Sequence, residues 1–194
     1  TATAARVYGV PTDQVSSEMR RKAKMVNYGI AYGISAFGLA QRLGIPRGEA
    51  AEIIDNYFKQ FSGIRGFMDN TIALARRQGW VETVTGRRRY IRDILSANNS
   101  LRAAAERNAI NAPIQGTAAD LIKIAMINIQ RELIARNSKT RLLLQVHDEL
   151  VFDLHQSETD TLPPLIENLM KTAIPLDVPI EVEIGIGENW LAAH

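Results

Sequence analysis

Apolar residues recur every three to four positions through most of the chain and alternate near its end, so the pattern predicts helices first and strands later. Ser16 or Ser17 is placed to cap a helix running through Arg20, Lys24 and Tyr28 toward Gly33, where paired glycines and aromatics end the period. Pro46 opens a second helix to Phe58, with Ala50, Ile53, Ile54, Tyr57 and Phe58 on one stripe, and a third runs from about Ile64 to Arg77. Val81–Val84 and Arg88–Ile91 flank Thr85-Gly86-Arg87 as a hairpin with a basic turn. From Ser100 an alanine-rich helix reaches about Asn111. There Pro113 and Gly116 are expected to interrupt it before a new start at Thr117, with Asp120 completing a capping-box-like signal and the helix extending to about Asn137, giving two collinear or kinked helices. Arg141–Val146 and Leu150–Leu154 are β-prone runs on either side of His147-Asp148-Glu149; Leu162–Ile174 is helical; Ile180, Val182, Ile184 and Ile186 alternate as a final strand. The fold class that follows is α+β, a helical lobe and then an antiparallel-sheet lobe.

With 46% hydrophobic residues in 194, the chain is able to bury one core, or one core and a smaller lobe. No run approaches the roughly 18 apolar residues of a membrane span, and Thr1–Pro11 has no basic region leading into an apolar one. A soluble, cytoplasmic protein without a membrane partner is expected. The lack of cysteine excludes a disulfide framework and Cys-based zinc sites. Because the first residue is Thr, the chain is expected to be processed or part of something longer. The net charge of +2 conceals a division. Residues 1–139 hold 21 Lys and Arg against 11 Asp and Glu, or +10, while residues 140–194 hold 2 against 10, or −8. A basic body beside an acidic end suits a polyanion-binding surface next to a carboxylate cluster, though solvated surface charge accounts for it as well.

Three groups of residues carry candidate chemistry. Arg20, Lys24, Tyr28 and Tyr32 are four apart, and each step rotates by about 40° on a helix, so they share a face. Two cations there are able to grip a triphosphate while two rings take a sugar and a base; equally, the tyrosines are core and the cations solvated. Arg107, Asn111 and Gln115 repeat the four-residue interval, with amides that suit minor-groove acceptors or, more plainly, a helix interruption. Asp148 and Glu149 sit side by side at a turn, where carboxylates are open to coordinate Mg²⁺, or merely to solvate the turn.

The residues themselves narrow these alternatives. Arg-x3-Lys-x3-Tyr-Gly-x2-Tyr-Gly, from Arg20 to Gly33, resembles the fingers helix of family A DNA polymerases, in which Phe or Tyr occupies the place of Tyr28. Arg107 to Asp120 resembles that family's primer–template-contacting segment, and His147-Asp148-Glu149 its palm motif. Trp80–Ile94, with Gly-Arg-Arg-Arg-Tyr, and the closing Gly-Ile-Gly-Glu-Asn-Trp are similar to further family segments.

The resemblance implies a fingers subdomain over residues 1–99 and part of a palm over 100–194. It implies that Arg20 and Lys24 hold dNTP phosphates, that Tyr28 abuts the sugar and Tyr32 the templating base, and that Lys24 donates a proton to leaving pyrophosphate. Arg107, Asn111 and Gln115 would contact DNA. Asp148 would be a metal ligand, Glu149 a supporting carboxylate acting directly or indirectly on metal, and His147 a contact to the primer end or phosphates. Two Mg²⁺ ions, primer–template DNA, dNTPs, a monomeric parent and a bacterial, nucleoid-associated cytoplasmic setting follow from the same likeness. The family's first metal-binding motif, Asp-Tyr-Ser-Gln-Ile-Glu, is not in the sequence. An upstream segment is therefore an expected partner, and this chain alone is expected to be inactive in extension. The rival expectation is a noncatalytic duplex-DNA-binding module that uses the basic body for phosphate contacts.

Overall fold

The computed structural model describes residues 1–193, apart from the side chain of Val7. The chain is α+β and divides into two compact units, Thr1–Gly116 and the residues from Thr117 onward.

In the first unit, α1 (Ala2–Tyr8) leads through a 3-10 turn to α2 (Ser17–Ala31), followed by α3 (Ala36–Leu43), α4 (Arg47–Gln60) and α5 (Ser62–Gln78). Local signals set these boundaries. Ser16 Oγ accepts from the Met19 amide at 3.1 Å and Ser35 Oγ from the Gly38 amide at 3.2 Å, each satisfying a donor that a helix start leaves without a partner. Gly44 and Gly79 end α3 and α5 in the left-handed conformation. Val26, Ile30, Leu39, Ala40, Ala50 and Tyr57 form one core cluster. Tyr57 is 2% exposed, and its hydroxyl donates to Asn27 Oδ1 at 2.6 Å, tying α4 to α2. A second cluster joins Ala75 of α5, Val81, Ile91 and Ile94 of the hairpin segment, and Ala105 and Ala109 of α6 (Asn99–Ala135). The hairpin itself is β1 (Trp80–Glu82) with β2 (Arg88–Tyr90), in the register Trp80↔Tyr90 and Glu82↔Arg88.

The second unit contains the antiparallel pair β3 (Arg141–Val146) and β4 (Glu149–Asp153), then α7 (Leu162–Lys171) and a short α8 (Trp190–Ala193). Ala125, Ile129 and Leu133 of α6 pack with Leu162 and Ile166 of α7. Glu158 secures the entry to β3. Its carboxylate accepts from Ser138 Oγ at 2.8 Å, the Lys139 and Thr140 amides at 3.0 Å each, and Thr140 Oγ1 at 2.6 Å. Hydrogen bonds from Thr140 and Ser138 lower its pKa to about 2.

Two expectations are corrected. The helix from Ser100 is not interrupted at Pro113; α6 runs continuously from Asn99 to Ala135, so Thr117 and Asp120 lie within it and form no new N-terminus. Proline in a helix interior costs about 3 kcal/mol and one backbone hydrogen bond. Apolar residues on both sides of Pro113 are held in cores, Ala105 and Ala109 in the first unit and Ala125, Ile129 and Leu133 in the second, and that packing overrides the local break. Secondly, Ile180–Ile186 is not a strand. The two sheets among the described residues are two-stranded, and β3 and β4 pair only with each other. Alternation supplies a face but no ladder partner, and Ile184 and Ile186 remain exposed.

Candidate functional site

The α2 helix separates its residues by face. Ala23, Val26, Gly29 and Ile30 are buried, whereas Arg20, Lys24, Tyr28 and Tyr32 are exposed. The reading in which both tyrosines belong to the core is therefore ruled out: Tyr28 is 53% and Tyr32 45% exposed. Their rings stack with centroids 6.5 Å apart and planes at 16°, and Lys24 Nζ lies 5.8 Å from the Tyr28 centroid. An open cleft of about 530 Å³ runs beside this face, lined by Arg20, Arg21, Lys24, Asn27 and Tyr28 with residues of α1. Its lining brings together two guanidinium groups, an ammonium and an aromatic ring, with the ammonium beside the ring. Such a set is able to take a polyanion attached to a flat, partly apolar group.

Asn27 and Arg21 were not singled out from the sequence. The i, i+3 relation of Lys24 to Asn27 was the available signal, but an Asn on a helix carries no mark of a ligand until its neighbour is seen. With Tyr57 donating to its Oδ1, the Asn27 amide is fixed in orientation at the cleft wall.

Arg107, Asn111 and Gln115 lie on one face of α6, Arg107 and Gln115 exposed and Asn111 half-buried. The structure brings the start of this row to the end of α2. Gly33, at φ 71°, approaches so closely that a Cβ there would lie 3.0 Å from Arg107 Cγ. At the far end, a Cβ on Gly116 would lie 2.5 Å from Thr83 Cγ2, and Arg87 Nη2 donates to the Gly116 carbonyl at 3.0 Å. Glycine at both positions thus lets the helix dock against α2 at one end and the basic hairpin at the other.

In the second unit, His147 and Asp148 form a two-residue turn closed by the pair Val146↔Glu149. His147 adopts φ 54°, uncommon for a residue other than glycine, and Gln145 Nε2 donates to its carbonyl at 2.8 Å. Asp148 is exposed at the tip, and Glu149 is half-buried at the first position of β4. Trp190 Nε1 donates to Glu149 Oε2 at 3.3 Å. Trp190 belongs to the closing Gly-Ile-Gly-Glu-Asn-Trp segment, and nothing in the sequence links it to Glu149, 41 residues away. No group of three metal-ligating side chains occurs among the described residues.

The family model for DNA polymerase family A matches residues 1–192. The chain belongs to that family. It is 48% identical over 190 residues to DNA polymerase I of Mycobacterium bovis, covering 98% of this chain and 21% of that protein. It is 51% identical over 190 residues to DNA polymerase I of Chloroflexus aurantiacus, with 97% and 20% covered. Among solved structures, the POL domain of Pol1 from M. smegmatis, in complex with DNA primer–template and dNTP, superposes with a TM-score of 0.94 at 47% identity, covering 98% of this chain and 34% of that one. The chain spans about a fifth of the length of the curated relatives it matches.

Proposed function

We propose that this chain carries the nucleotide-holding face and the primer–template row of a DNA-directed DNA polymerase, with its carboxylate turn contributing to the catalytic centre. The observation that carries the reading is the α2 cleft, where Arg20, Lys24 and Tyr28 face solvent along one helix and line one concavity. A dNTP has the matching chemistry: a triphosphate for the cations, with a sugar and base for the rings. Arg20 binds phosphate oxygens through its fork, Lys24 supplies a point charge, Tyr28 packs on the sugar and Tyr32 lies toward the templating base. Arg107, Asn111 and Gln115 position the duplex through phosphate, sugar and minor-groove acceptors. That the solved relative is a complex with primer–template and dNTP supports the choice of these two ligands.

In the reaction, the primer 3′-oxygen bonds to the α-phosphorus as the bond to the α–β bridging oxygen breaks, and pyrophosphate leaves. The 3′-hydroxyl gives up its proton to solvent, and Lys24 donates one to the departing pyrophosphate. Family A polymerases are metal-dependent, and we assign Mg²⁺. Asp148, exposed at a tight turn, and Glu149, oriented by Trp190, are hard oxygen donors that fit part of its shell. When bound, the ions neutralise developing phosphate charge. Two-ion chemistry needs carboxylates from a second segment as well, so the chain by itself is expected to extend primers poorly. His147 contacts the primer end.

The rival reading, a noncatalytic duplex-binding module, draws on the basic first 139 residues. Single-turnover incorporation separates the two when dNTP and DNA are titrated independently in the protein carrying this chain. Lys24→Ala is expected to weaken nucleotide use at least tenfold with duplex affinity nearly unchanged, and Gln115→Ala to do the reverse. Equal effects of both variants on both ligands would contradict the assignment.

A further inference from the structure

The first unit holds another concavity, of about 560 Å³, that shares no lining residue with the α2 cleft. Arg76, Arg77 and Gly79 line it from the end of α5, with Tyr90, Arg92 and Leu95 from and beyond β2. Strand alternation explains its character. Val81 points into the core, so its neighbours Trp80 and Glu82, with their cross-strand partners Tyr90 and Arg88, occupy the opposite face of the hairpin. On that face the Arg88 guanidinium lies 4.1 Å from the Trp80 ring centroid, and Tyr90 is 68% exposed.

The arginines around this cleft are not equally committed. Arg76 donates to Glu106 at 2.5 Å, whereas Arg77 and Arg92, both exposed, have no carboxylate partner among the described residues. Compensation of the α5 dipole accounts for Arg77 at the C-terminal turn, but not for Arg92, which follows β2, nor for an exposed tyrosine between them. Guanidinium groups beside an exposed ring match a strand that offers both phosphates and free base faces. A duplex offers the phosphates but keeps its base faces stacked, which leaves Tyr90 without a partner.

We propose that this cleft is an accessory site for single-stranded DNA, in which Arg77 and Arg92 hold the phosphodiester backbone and a base stacks on Tyr90. The proposal rests on the polymerase reading only for the choice of DNA as the strand. It is tested by fluorescence anisotropy with the protein carrying this chain, on labelled primer–templates with one-nucleotide and twelve-nucleotide template overhangs. Templated addition on the short overhang is followed in parallel, so failure of the polymerase reading appears there as no addition by the unsubstituted protein.

Combined substitution Arg77→Ala and Arg92→Ala is expected to weaken long-overhang binding about fivefold or more. It should also lower the slope of log affinity against log salt by about 1.4, from about 0.7 per phosphate contact on a single strand. Short-overhang binding and addition should be unchanged. Tyr90→Ala should weaken long-overhang binding about fivefold without changing that slope, and Tyr90→Phe should restore it. Equal losses on both overhangs, no loss on either, or a loss confined to nucleoside triphosphate binding would each overturn the proposal. All three residues are exposed, so melting temperatures should hold; if the alanine pair melts early, Arg77→Gln with Arg92→Gln carries the same test.

Discussion

Replacing Gly116 with alanine opposes two effects of known sign. In a helix interior the change ordinarily stabilises by about 1 kcal/mol, because glycine loses more backbone freedom on folding. Here the added methyl would sit 2.5 Å from Thr83 Cγ2, well inside ordinary contact. Thr83 has little room to yield: it is buried, its hydroxyl is paired with Thr85 Oγ1 at 2.9 Å, and it accepts from the Arg87 amide at 3.1 Å. Rotating Thr83 costs about 1 kcal/mol of off-rotamer strain and about 1 kcal/mol for each hydrogen bond lost. The net expectation is a destabilisation of about 1–2 kcal/mol, read as a lower denaturation midpoint at constant m-value. The double variant Gly116→Ala with Thr83→Ser removes the offending methyl and keeps the hydroxyl. Relative to Thr83→Ser alone, Gly116→Ala should then be neutral or stabilising by up to about 1 kcal/mol. A single Gly116→Ala protein as stable as the parent, or more so, would refute the view that glycine is there to let the basic hairpin dock on α6.

Other consequences are independent of that contact. Glu158, with its pKa lowered to about 2 against an ordinary 4.5, contributes stability that is complete above the ordinary value and is lost as pH falls from about 4.5 toward 2. Glu158→Gln should therefore flatten the acid limb of a midpoint-versus-pH curve over that window; an unchanged limb would show that its four hydrogen bonds do not persist. Tyr57→Phe should destabilise by about 1 kcal/mol and leave the Asn27 amide free to turn at the α2 cleft, measured by denaturation and by the KM for dNTP together. Tyr28→Phe should raise discrimination against dideoxynucleotides, since the Tyr28 hydroxyl is free to replace a hydrogen bond made by a sugar 3′-hydroxyl; equal discrimination by both proteins excludes that role.

Much of the helical framework was legible because its signals are local. Ser16 and Pro46 mark helix starts that depend on a cap or an opening proline, and both hairpins follow from β-prone runs around short turns. The helix α3 was missed although Ser35 and Gly44 bracket it, since its eight residues follow a glycine- and tyrosine-rich stretch that reads as irregular. The breaks and pairings that depend on distant partners were not legible. Pro113 reads as a stop until the packing on either side of it is known, and Ile180–Ile186 reads as a strand until a ladder partner is sought.

The candidate site divides the same way. Four-residue spacing put Arg20, Lys24, Tyr28 and Tyr32 on one face, but a buried stripe and an exposed one have the same period, and only the burial of Val26 and Ile30 opposite decides between them. The approach of Gly33 to Arg107, the Tyr57–Asn27 bond and the Trp190–Glu149 bond join residues far apart in sequence, and no local pattern encodes them.

The most direct test of the central claim is templated single-nucleotide addition to a recessed primer by the protein carrying this chain, comparing it with Asp148→Asn at saturating dNTP and DNA. The account predicts that the unsubstituted protein adds the complementary nucleotide in the presence of Mg²⁺, and that Asp148→Asn reduces the rate at least a thousandfold while duplex and dNTP affinities stay within about threefold. An Asp148→Asn protein that adds nucleotides at a rate near that of the parent would contradict it.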